Sequence, residues 1–143
     1  MNLSIIIPCY NEEEVLPLIL KRLNTLSIDW TSRDDFTEIE FIFVDDGSQD
    51  RTYDLLTETS KADLRVKVVR FSRNFGHQAA PLAGYELAQG DVIVSLEANL
   101  QDPPELIKTM LDKIKEGYDV VYAARQSRRN DSWFKRKTAE IFY

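Results

Sequence analysis

Three short polar stretches carry residue types that can do chemistry. The first is Pro8, Tyr10, Asn11 and Glu12. The second is Asp45-Asp46-Gly47-Ser48. The third is Glu97, Ala98, Asn99, Leu100, Gln101 and Asp102. An aromatic ring such as Tyr10 can stack on a flat base. Adjacent carboxylates such as Asp45 and Asp46 accept hydrogen bonds from a base N–H or from ribose hydroxyls. The oxygens of Glu97, Asn99, Gln101 and Asp102 suit a hard cation, Mg2+ or Mn2+, which bridges to phosphates. The chain has neither G-x-G-x-x-G nor G-x-x-x-x-G-K-[ST], so neither glycine-rich phosphate cradle is available. Together these residues read as a nucleotide-diphosphate site that uses a metal in place of such a loop.

Each stretch follows a short apolar run. Leu3–Ile7 ends at Pro8, Ile39–Val44 ends at Asp45, and Val92–Leu96 precedes Glu97. Val66–Phe71 is followed by Ser72, Arg73, Asn74, Gly76 and His77, and Val120–Ala123 is a weaker fifth run. All are rich in Val and Ile and nearly continuous, the pattern of strands buried on both faces of a parallel sheet. Helical spacing falls between them. Val15, Ile19, Leu20, Leu23 and Leu26 form one stripe, interrupted by Pro17, so the regular helix is expected to begin near that proline. Ser48 or Asp50 can cap a second helix through Leu55 and Leu56. Gln78–Ala88 and Pro104–Lys115 are two more, the last with Leu106, Ile107, Met110, Leu111 and Ile114 on one face. Ser27–Glu38 reads as a polar connection. The alternation predicts an α/β fold, a doubly wound, Rossmann-like layer sandwich with a mostly parallel sheet. In such sheets ligands bind beyond the carboxyl ends of the strands, where the polar stretches converge.

Composition narrows the class. The chain has 143 residues, 43% hydrophobic and 29% charged, with 24 acidic against 18 basic side chains and a formal net charge of −6. That is one domain's worth of chain, and its balance argues against a general nucleic-acid binder. One cysteine and one histidine exclude a disulfide framework, a cysteine zinc site and a histidine-rich metal centre. No apolar run approaches the roughly 20 residues that span a bilayer. The N-terminus has no signal-peptide pattern, so the default compartment is the cytoplasm. The acidic chain turns basic at its end: Arg125, Arg128, Arg129, Lys135, Arg136 and Lys137 are six positive charges within thirteen residues. We therefore divide it into a core, 1–124, and a basic-aromatic segment, 125–143, of the same domain.

The motifs as a set resemble a known family. Ile5-Ile6-Ile7-Pro8-Cys9-Tyr10-Asn11-Glu12-Glu13 and Val44-Asp45-Asp46-Gly47-Ser48-Gln49-Asp50-Arg51-Thr52 resemble the start of family 2 glycosyltransferases of the GT-A fold. Phe71-Ser72-Arg73-Asn74-Phe75-Gly76-His77-Gln78 and Leu100-Gln101-Asp102-Pro103-Pro104-Glu105 are similar to the subgroup that moves a sugar from a nucleotide onto a polyprenyl phosphate. Bactoprenol glucosyltransferases and dolichol-phosphate mannosyltransferases belong to it. The resemblance implies an inverting hexosyltransferase at the cytoplasmic face of a cell membrane. Its donor would be a nucleotide-diphospho-sugar, UDP-linked. Pro8, Tyr10, Glu12, Val44, Asp45, Asp46 and Ala98 would line the nucleotide-sugar pocket. Glu97, Asn99 and Gln101 would hold Mg2+ or Mn2+, and Arg125 and Arg129 would face the acceptor phosphate.

Two departures stand out. The family's metal segment is D-x-D-x-Q, and here Glu97 and Asn99 replace its aspartates, which lowers ligand charge unless Asp102 compensates. Family members of this kind are also longer, so a catalytic base is expected beyond Tyr143. A transferase acting on a glycan acceptor and a nucleotide-sugar-binding module with impaired catalysis are the competing readings. Residue by residue, Asp45–Ser48 also suits a turn and helix cap. Glu13 and Glu14 read as a helix N-terminal charge run. Cys9 reads as a packed strand residue and His77 as a hydrogen-bonding loop residue. The basic run can equally be a solvated helix face. Trp133, Phe134, Ile141, Phe142 and Tyr143 read as a helix face or as an interfacial membrane surface.

Overall fold

A computed structural model of the chain describes residues 1–33, 35–99, 103–124 and 138–142. Four parallel strands form the main sheet: β1 (Asn2–Cys9), β2 (Glu38–Asp45), β3 (Val66–Arg70) and β4 (Val92–Ser95), in the order β3-β2-β1-β4. Helices α1 (Leu16–Ser32), α2 (Thr52–Ala62) and α3 (Ala79–Leu87) connect them in turn. The α/β fold with a parallel sheet is thus as expected. Contacts divide the chain into two compact units, Met1–Asp102 and Pro103–Tyr143. In the second, α4 (Leu106–Lys115) packs on β5 (Val120–Ala124), and β5 pairs in parallel with β6 (Thr138–Phe142), Val120 opposite Thr138.

The strand order makes a switch point. The chain steps from β1 to β2 to β3 in one direction, then returns to place β4 on the other side of β1. Right-handed crossovers put α1 and α2 on one face and α3 on the other. On the α3 face, Ile6, Ile42 and Val44 are fully buried against Ala80, with Val69 and Phe71 at the margin. Gly84 lets α3 sit close: a Cβ there would lie 2.4 Å from Ile6 Cγ2. Alternation sends Ile5, Ile7, Phe41 and Phe43, each at most 3% exposed, to the opposite face. Phe41 there shares a groove with Leu20 and Leu23 of α1 and Ala62 of α2.

Three elements differ from the sequence reading. Helix α1 runs on through the expected polar connection to Ser32, because Ser27 and Trp30 extend its buried stripe of Leu16, Ile19 and Leu23. The Ser27 hydroxyl is satisfied by donating to the Asn24 carbonyl at 2.8 Å, so a polar residue sits on the buried face at little cost. Pro17 falls at the first turn of α1, where a missing N–H is harmless. The α2 N-cap is Arg51, with no side-chain cap bond, rather than Ser48 or Asp50. Ile141 and Phe142 lie in strand β6, not on a helix. At the other end of the sheet, Glu40 links strands by accepting from the Ser4 hydroxyl, the Gln89 N–H and Lys67. Burial pushes its carboxyl up, but those bonds outweigh burial and hold it below the usual range.

Candidate functional site

The loops after β1 and β2 fold as one body. The Asn11 N–H donates to Ser48 Oγ (2.8 Å), Glu12 N–H to Thr52 Oγ1 (2.8 Å) and Glu13 N–H to Asp50 Oδ2 (3.2 Å). In return, Gln49 N–H donates to Asn11 Oδ1 (2.9 Å) and Arg51 N–H to Glu13 Oε2 (3.2 Å). Asn11 adopts φ 51°, a left-handed conformation that asparagine tolerates. Ser48, Asp50 and Glu13 therefore build the loops. Glu13 does so by clasping the neighbouring loop, and no acidic residue lies in the first turn of α1. The loop after β3 joins through Asp46, whose Oδ1 accepts from the Phe75 N–H at 2.7 Å.

Beyond the ends of β1 and β4, at the switch point, lies a crevice of about 200 Å³. Pro8, Tyr10, Glu12, Asp46, Glu97, Ala98 and Asn99 all line it, so seven of the sequence-derived site residues meet in one place. His77, Ala80, Pro81 and Ser95 complete the wall, and buried Cys9 forms part of the floor. Val44 and Asp45 do not line this crevice: Val44 packs in the core and Asp45 is fully buried. Gln101, Arg125 and Arg129 lie outside the described residues.

The crevice is acidic. Burial raises the Glu12 carboxyl above its usual range, and the neighbouring charges of Asp50 and Glu97 add to that. Burial likewise pushes the Cys9 thiol far up, so it is no nucleophile. The raised Glu12 has a consequence for stability. Between its ordinary value of 4.5 and the raised folded value, the folded chain holds a proton that the unfolded chain has lost. Stability then falls as pH rises through that window and stays reduced above it. Glu12→Gln should therefore raise the melting temperature at pH 7 and leave it near the wild-type value at pH 4. Equal shifts at both pH values would show that the carboxyl charge is not the cause.

Tyr10, 41% exposed, also borders a second groove of about 560 Å³ formed with Gly47, Gln49, Arg70, Ser72 and Arg73. Asp45 reaches two of the residues that line it, Ser48 and Arg70. Its Oδ1 accepts from the Ser48 N–H at 3.0 Å. Its Oδ2 is buried, accepts no hydrogen bond among the described residues, and lies 3.7 Å from Arg70 Nε. The Arg70 guanidinium stacks over the Tyr53 ring at 4.1 Å, and that of Arg73 over the Phe75 ring at 4.3 Å. Arg70 was missed from the sequence; its place at the carboxyl end of β3 was the available signal.

For the metal, Asn99 Nδ2 donates to Glu97 Oε2 at 3.2 Å. Turning that amide over would put two oxygens side by side, a carboxylate and an amide, which is hard-cation chemistry. No group of three or more His, Cys, Asp or Glu side chains among the described residues is arranged to hold an ion. Oxygen donors of this kind are the type that Mg2+ or Mn2+ takes.

An open parallel sheet with an acidic, aromatic-flanked crevice at its switch point is the organisation of a nucleotide-binding α/β protein. A family profile described as "Glycosyl transferase family 2" matches residues 4–143, and the chain belongs to that family. It is 50% identical over 140 residues to the uncharacterized glycosyltransferase YkcC of Bacillus subtilis, covering 98% of this chain and 42% of that protein. It is 37% identical over its full length to the prophage bactoprenol glucosyl transferase homolog of Escherichia coli, and 36% to the bactoprenol glucosyl transferase of Shigella phage SfV, covering 45% of each. The chain thus spans less than half the length of these relatives. The crystal structure of S. aureus TarS 1-349 in complex with UDP-GlcNAc superposes with a TM-score of 0.60 at 26% identity, over 92% of this chain and 37% of that one.

Proposed function

We propose that this chain is the donor-binding portion of an inverting glycosyltransferase that moves a sugar from a UDP-linked donor to a polyprenyl phosphate. The observation that carries it is the meeting of Tyr10, Glu12, Asp46, Glu97 and Asn99 in one crevice at the switch point. The TarS complex supports the UDP-linked donor, and the relatives named bactoprenol glucosyl transferase support the lipid acceptor. Tyr10 flanks the nucleoside. Asp45, fully buried, acts from behind the site: its Oδ1 holds the Ser48 N–H and its Oδ2 faces Arg70, a residue that lines the neighbouring groove. Glu97 and Asn99, with Gln101, would hold Mg2+ or Mn2+, which would supply positive charge to the leaving diphosphate. Arg125 and Arg129 face the acceptor phosphate, for which the guanidinium fork is suited. An acceptor phosphate is already ionised, so the protein's task is chiefly to position it for in-line attack. No described residue is proposed as the catalytic base, and the site is assigned to the cytoplasmic face of the membrane. No helix among the described residues is long and apolar enough to cross a membrane. Contact with the membrane is assigned to the basic-aromatic segment 125–143.

The test is calorimetric titration of UDP, GDP and their sugar conjugates with Mn2+ and then with EDTA. Metal-dependent binding of the uridine compounds is expected; binding of none, by a folded chain, would sink the proposal. The Asn99 amide donating to Glu97 favours the reading of a binding module with weak catalysis, and one variant separates the two. Asn99→Asp should strengthen Mn2+-dependent UDP binding about tenfold, since cation affinity follows ligand charge. Unchanged Mn2+ dependence would remove position 99 from the ligand set.

A further inference from the structure

We propose that His77 contacts the donor's diphosphate, supplying a ring N–H donor in a crevice wall otherwise rich in carboxylates. The inference rests on the nucleotide-sugar reading above and adds a residue to it. Glu12, Asp46 and Glu97 bring three carboxylates to the crevice wall. A nucleotide diphosphate entering such a wall meets like charge, which disfavours binding unless a donor or cation intervenes. Among the described residues lining the crevice, His77 alone is a basic side chain; Arg70 and Arg73 border the neighbouring groove instead. An imidazole N–H donates to phosphate oxygen whether the ring is neutral or protonated, and the bond is charge-assisted in either case.

The loop that carries His77 is fixed from several sides. Asp46 holds the Phe75 N–H at 2.7 Å, two residues before it. Asn74 Oδ1 accepts from the Gly76 N–H at 3.0 Å, and Gly76 has φ 98°. The Ala79 N–H closes onto the Gly76 carbonyl at 3.3 Å as α3 begins. None of these bonds uses the imidazole, which lines the crevice with Ala80 and Pro81 of the first turn of α3.

The experiment is an affinity series of uridine, UMP and UDP, with Mg2+ present throughout, for the wild type, His77→Ala and His77→Gln. His77→Ala should lower the UDP-to-uridine affinity ratio about tenfold while uridine itself binds as before, the scale of one hydrogen bond to a charged group. His77→Gln, which keeps an N–H donor, should recover part of the ratio. A structural defect would weaken uridine and UDP together. An unchanged ratio in His77→Ala, with wild type binding UDP well, overturns the role of His77 and leaves the proposed function standing. Failure of the wild type to bind any of the three overturns both.

Discussion

Gly47→Ala should be the most damaging single-methyl change in the first unit. Gly47 has φ 74°, where an L side chain is strained. A Cβ there would also lie 2.4 Å from the Arg73 carbonyl carbon and 2.5 Å from the Asn74 nitrogen, both backbone atoms. A flexible side chain can swing aside; the Arg73–Asn74 peptide group cannot without moving the loop after β3. Strain at a left-handed position costs of order 1–3 kcal/mol, and a forced backbone shift adds a similar amount. We expect about 3 kcal/mol of lost stability, which for a chain of this size lowers the melting temperature by about 10 °C. The damage should also reach the ligand. The displaced loop carries Arg73 and leads to His77, so UDP binding should weaken even where the variant is fully folded. A melting temperature within 2 °C or so of wild type would mean that the loops separate easily.

The second large effect is expected from Glu97→Gln. The substitution keeps the shape and an oxygen to accept from Asn99, and removes only the charge. If Glu97 is the anionic ligand, its loss leaves a neutral donor set, and hard cations bind such sets weakly. UDP affinity in Mn2+ should fall ten- to a hundredfold, towards the value in EDTA. A second readout is independent of nucleotide. The Glu97 charge contributes to the raised carboxyl of Glu12, so that carboxyl should titrate closer to its ordinary range in the variant. Undiminished Mn2+ dependence, with Glu12 shifted as expected, would keep Glu97 in the crevice and strike it from the metal site.

Much of this organisation was legible because it depends on local patterns. Continuous Val and Ile runs announced the buried parallel strands, and each run's polar sequel marked the edge where seven candidate residues meet. What was not legible depends on pairing across the chain. Ser27 looked like the start of a connection because its hydroxyl is polar; only the fold shows that hydroxyl bonded within α1 and contacting Arg65 at 2.8 Å. Glu13 looked like a dipole partner, whereas its carboxylate reaches a backbone N–H 38 residues away. Val44 and Asp45 were adjacent to a genuine lining residue, but alternation along the strand end turns Val44 into the core. Strand β6 follows a basic stretch whose composition gave no sign of a parallel partner for β5.

The clasp between the first two loops has a consequence for how phosphate can be recognised. Many phosphate sites are concave nests of backbone N–H groups, all pointing at one oxygen. Here the N–H groups of Asn11, Glu12, Glu13, Ser48, Gln49, Arg51 and Thr52 are all engaged by side chains of this same unit. The protein has closed its own anion nest. On the proposed reading, phosphate recognition would then fall to groups that can be gained or lost one at a time, a metal ligand here or an imidazole there. A lineage built on this scaffold would, on that reading, retune its grip on the diphosphate by point substitution while the clasped loops stay fixed.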